Sequence, residues 1–62
     1  MKEIKTKEDA IKFLEEDINI SVDDISKYKY KIYDEDFCDF VKDDKELIDY
    51  AIEQMEAIEE NE

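Results

Sequence analysis

The chain has 62 residues and a formal charge of −12, from 21 acids and 9 lysines; 48% of it is charged and 42% hydrophobic. A chain of this length holds one domain, residues 1–62, and buries only about 60% of its unfolded surface. Cys38 is the only cysteine and histidine is absent, which excludes an intrachain disulfide and the usual zinc sites, so stability must come from regular packing or self-association.

No stretch approaches the ~20 apolar residues of a membrane span, and Met1 to Thr6 lacks the apolar run of a signal peptide, so a cytoplasmic location is expected. The charge is unevenly spread. Residues 1–33 hold 8 acids against 7 lysines, whereas residues 34–62 hold 13 against 2. An acidic half of this kind repels phosphates and favours a basic partner surface.

Neither glycine nor proline divides the chain, so caps and hydrophobic period must do so. Thr6 and Asp9 have the spacing of a capping box, and Ala10, Ile11, Leu14 and Ile18 follow at helical spacing, which predicts a helix over residues 7–17.

Residues 18–33 admit two readings. As a helix, Ser21 caps with Asp24 at the third position, Ile20 and Ile25 staple its start, and Val22, Ile25, Tyr28 and Ile32 line one face. As a hairpin, Ile18, Ile20 and Val22 alternate with polar residues, and so do Tyr28, Tyr30 and Ile32. No Asn-Gly or Asp-Gly pair marks a hairpin turn, so the helix is preferred and the hairpin is the alternative.

Asp34 or Asp36 can cap a short helix carrying Phe37, Phe40 and Val41. Asp43 and Glu46 repeat the capping-box spacing ahead of a last helix at about 44–60, whose apolar face is Leu47, Ile48, Ala51, Ile52, Met55 and Ile58. The expected architecture is therefore all-α: three or four short helices in a compact mini-bundle, with the last packed across the first. An α+β fold with a hairpin at 18–33 is its alternative.

Glu46, Asp49, Glu53, Glu56 and Glu60 advance by three and four residues and form one line opposite Leu47, Ala51 and Met55. Like charges at these spacings cost ~0.2–0.5 kcal/mol per pair, roughly 1–2 kcal/mol for the stripe, and within the helix only Lys45 can relieve it. A surface built for solubility alone would interleave lysines. The stripe's charges lie about 5 Å apart, against ~3.4 Å per phosphate on one DNA strand. Asp34, Glu35, Asp36, Asp39, Asp43 and Asp44 could supply a second row that completes a nucleic-acid-like charge pattern. The bland reading is that both rows are solvated faces.

Other constellations carry less. Asp34, Asp36, Cys38 and Phe40 alternate like the start of a calcium loop, but its glycine is missing and Lys45 stands where a bidentate glutamate is needed. Cys38, between Asp36 and Asp39 and with no histidine as base, reads as a packed or half-buried thiol. Tyr28, Tyr30 and Tyr33 interleave with Lys27, Lys29 and Lys31, a pattern seen where single strands stack, but the overall charge opposes that use.

No nucleophile–base pair, phosphate loop or metal cage is present, so no enzyme activity, cofactor or metal is expected. The expected partner is a basic protein surface, in the first place a nucleic-acid-binding groove that the acids block by charge mimicry. Neither nucleic acid itself nor a membrane is an expected partner, and a homodimer is compatible. Phage anti-defence inhibitors of the anti-CRISPR or anti-restriction type share this size and charge; a bacterial host cytoplasm would be the setting. The residues expected to bind are Glu46, Asp49, Glu53 and Glu56, supported by Asp36, Asp39 and Asp43. The alternative is a small helical adaptor, regulator or antitoxin-like subunit that binds through apolar surface.

Overall fold

A computed structural model describes residues 3–25 and 29–60. It shows two helices and a three-stranded antiparallel sheet in the order β1-β2-β3, an α+β fold that overturns the all-α expectation. Helix α1 spans Lys7–Lys12 and continues as a π-helical turn over Phe13–Asp17. The strands are β1 (Ser21–Asp24), β2 (Tyr30–Tyr33) and β3 (Cys38–Val41), and helix α2 is Asp44–Glu60.

Helix α1 starts where its capping grammar places it. The Thr6 hydroxyl accepts the Asp9 amide, and the Asp9 carboxylate accepts the Thr6 and Lys5 amides. Each bond satisfies a donor that the helix or the chain entering it would otherwise leave unmet. The π-helical turn buries Phe13 and Leu14, consecutive in sequence, against the core. Asn19 then stops the helix by adopting positive φ (56°), and the Ile20 amide donates back to the Leu14 carbonyl at 2.7 Å. Asparagine is the residue that most often stands in for glycine at such a stop.

The sheet falls where the helical reading was preferred. Tyr30 and Ile32, two residues apart, are both buried, at 2% and 0% exposure. Only a strand turns residues i and i+2 to one side; a helix would set them about 200° apart. Val22 pairs with Ile32 and Tyr30 with Val41, so the inner face of the sheet carries these apolar side chains to the helices. The outer face carries Ser21, Asp23, Lys31, Tyr33, Cys38 and Phe40. The hairpin joining β1 and β2 is closed by the Ile25 amide on the Lys29 carbonyl at 3.1 Å; Tyr28 and Lys27 lie outside the described residues.

The short helix expected around Phe37, Phe40 and Val41 is also overturned. Asp34 caps a two-residue hairpin turn: its Oδ1 accepts the Asp36 amide at 2.7 Å and the Phe37 amide at 3.1 Å, and the Asp34 amide donates to the Phe37 carbonyl. As a strand, the segment sends neighbours Phe40 and Val41 to opposite faces, one exposed and one buried. Cys38, expected to be packed or half-buried, lies exposed on the outer face.

The core sits between the inner face of the sheet and the two helices, which pack against each other as expected. Leu14, Ile32, Leu47 and Ala51 are fully buried, and Ile48, Ile52 and Met55 lie half-buried around them. Among the described residues no helix is long and apolar enough to cross a membrane.

Candidate functional site

Helix α2 is fixed at its start through three acidic residues. Asp43 caps it, with Oδ1 accepting the Glu46 amide at 2.8 Å and its carbonyl accepting the Leu47 amide at 3.1 Å. Asp44 Oδ1 accepts the Tyr30 hydroxyl at 2.6 Å and faces Lys29 Nζ at 3.8 Å. Glu46 bridges back to Lys42, through Nζ at 3.7 Å and the amide at 3.4 Å.

With Leu47 and Ala51 turned into the core, the opposite side of α2 must face outward. Asp49, Glu53, Glu56 and Glu60 are all exposed, and no lysine among the described residues forms an ion pair with them. Lys45 stands one turn before Asp49 without bridging to it, and the lysine that does bridge is Lys42, to Glu46. The expected line of five thus divides. Glu46 is half-buried and neutralised, while the remaining four span about 16 Å of unneutralised helix surface. The last turn of α2 holds no basic residue, so its acids also oppose the helix dipole.

The acids expected as a second row are placed mainly by local structure. Asp34 builds the β2–β3 turn, Asp43 caps α2, and Asp44 is tied to Tyr30 and Lys29. Asp39, on β3, accepts the Phe40 amide at 2.8 Å, and Asp36 lies exposed in the turn. Hairpin and helix acids nevertheless act on one group. The half-buried Tyr50 hydroxyl is pushed above its usual pKa first by burial, then by the charges of Asp39, Asp34 and Glu53. The charges of Asp39, Asp34 and Glu53 thus all act on the Tyr50 hydroxyl.

Tyr50 was not legible as part of this face. Its only sequence signal is its position three residues before Glu53, on the border between the apolar and acidic sides of α2. The Tyr30–Asp44 bond was equally hidden, because it joins residues 14 apart through a fold that was not expected. Of the interleaved lysines, Lys29 meets Asp44, and Lys31 Nζ lies 4.9 Å from the centre of the Tyr33 ring on the outer face of the sheet.

The arrangement presents fixed negative charge and little else. Among the described residues no three carboxylate or thiol ligands converge as a metal-binding group. Its chemistry is electrostatic: attraction of a cationic surface, strengthened by displacement of counterions and weakened by salt. No protein-family model, curated protein or solved structure matches the chain.

Proposed function

We propose that the chain is an acidic docking protein that occupies the nucleic-acid groove of a basic protein by presenting α2 as a substitute for phosphate charge. The observation that carries this reading is the exposed, lysine-free run Asp49, Glu53, Glu56 and Glu60, kept despite both mutual repulsion and an opposed helix dipole. Binding then consists of replacing a phosphate backbone on lysines and arginines of the partner.

Competition tests this directly. Proteins captured from a cell lysate on the immobilised chain at low salt should be released by added duplex DNA or RNA and should bind nucleic acid themselves. Captured proteins that nucleic acid fails to displace would contradict mimicry.

A second reading has its own observation. The outer face of the sheet leaves Phe40 44% exposed beside Cys38. An adaptor would bind there through apolar area, and its affinity would hold or rise with salt where that of a mimic falls.

A further inference from the structure

Helix α2 outruns the core it packs on. Leu47 and Ala51 are fully buried, Met55 is half-buried and Ile58 is 41% exposed. At about 100° per residue Ile58 falls within about 20° of both Leu47 and Ala51, so it lies on the face that these two turn inward. A lone apolar side chain on a solvent face is ordinary, but one in line with the core face marks where that face continues without cover. Met55, three residues before Ile58, belongs to the same strip.

Charge selects what can cover it. Glu56, Glu59 and Glu60 stand exposed in the same two turns, no lysine among the described residues pairs with them, and the last turn of α2 holds no basic residue. A second copy of a chain at −12 would set like charges against these acids. A neutral apolar segment would leave them unpaired at the edge of a buried contact. Lysines or arginines would meet both the acids and the negative end of the helix dipole. We propose that Met55 and Ile58 are an apolar anchor for a cationic amphipathic helix of the partner, laid along the last turns of α2. Its apolar stripe covers Ile58 while its cations reach Glu56, Glu59 and Glu60. The anchor rests on the docking function proposed above and narrows the partner to one whose basic groove is walled by such a helix.

Two synthetic helical peptides of equal positive charge test this, one built of lysines with a leucine stripe, the other with every leucine replaced by glutamine, which also favours helix. In titration calorimetry at moderate salt the parent chain should bind the leucine peptide at least tenfold more tightly. The methyl NMR signals of Ile58 and Met55 should shift most. Ile58→Ala, which keeps helix propensity, should abolish the tenfold preference, whereas Phe40→Ser on the sheet should retain it. Equal, measurable affinity for the two peptides would overturn the anchor and leave the charge reading standing. A preference that survives Ile58→Ala, or that Phe40→Ser removes, would also overturn it, by placing the apolar contact elsewhere. The glutamine peptide tests the charge reading by itself: if it fails to bind even at low salt, the acids draw no cation, and the anchor's choice of a cationic helix falls with that reading.

Discussion

The Tyr30 hydroxyl donates to Asp44 Oδ1 at 2.6 Å, and through this bond the middle strand of the sheet holds the first turn of the acidic helix. Tyr30 is almost wholly buried, with only its hydroxyl reaching the rim. The orientation of α2 therefore depends on a residue that carries no charge of its own.

Tyr30→Phe should lower stability and let the Asp44 carboxyl return toward the ordinary carboxylate range, because the Tyr30 hydrogen bond is the largest cause of its lowered pKa. A carbon-detected NMR titration of Asp44 in parent and variant checks this. An unmoved Asp44 titration would show that Lys29 and Lys7, the lesser causes, hold it by themselves.

Stability should pass through a maximum in mild acid. From neutral pH down toward the isoelectric point near 4.2, protonation relieves the self-repulsion of a chain at −12. Below that, two folded-state carboxyls work in the opposite direction. Asp44 is lowered by the Tyr30 hydroxyl and Asp9 by the Lys5 and Thr6 amides. A depressed folded pKa contributes stability that is complete above the unfolded value of about 3.9 and disappears as pH falls through the folded one. Thermal midpoints should thus rise from pH 7 toward about 5 and fall below about 4. Asp44→Asn should make the acid limb shallower.

Asn19 at φ 56° supplies a further test. Asn19→Ala should cost about 1 kcal/mol, because a Cβ without a compensating side-chain bond is unfavourable in the left-handed region. Asn19→Gly should be neutral or stabilising, since glycine enters that region freely. Urea denaturation of the two variants measures the difference, and equal midpoints would show that the stop at residue 19 bears no strain.

The two helices were legible and the sheet was not, for physical reasons visible in single residues. Thr6–Asp9 and Asp43–Glu46 announce helix starts through local hydrogen bonds, which depend on nothing distant. The strands depend on burial that only the finished fold provides: a helical face of Val22, Ile25, Tyr28 and Ile32 leaves Tyr30 off it, and nothing local shows that Tyr30 and Ile32 are buried together. The helix was also preferred over 18–33 for want of an Asn-Gly or Asp-Gly pair, and the turn of that hairpin lies outside the described residues. The β2–β3 turn needs no such pair, because the Asp34 carboxylate accepts two of its amides. The outward direction of Asp49, Glu53, Glu56 and Glu60 followed from helical spacing alone. The neutralised state of Glu46 and the approach of the hairpin acids to Tyr50 did not, since both require the sheet to bring distant residues together.

Changing Asp49, Glu53 and Glu56 together to lysine should leave the fold intact and raise stability by about 1 kcal/mol. Each change adds 2 charges and the chain moves from −12 to −6. The gain comes from relieved repulsion along the stripe. Thermal unfolding followed by circular dichroism reads it; a large loss would show that these acids hold the fold through contacts rather than through their field.

The most direct measurement is the affinity for a captured nucleic-acid-binding partner as a function of ionic strength, taken with the parent chain and with the triple lysine variant. Phosphate-like docking predicts a steep, log-linear loss of affinity with salt for the parent chain, and no binding by the variant at any salt concentration. Affinity that stays level with salt, or that survives the triple change, would contradict the assignment of α2 as the docking face.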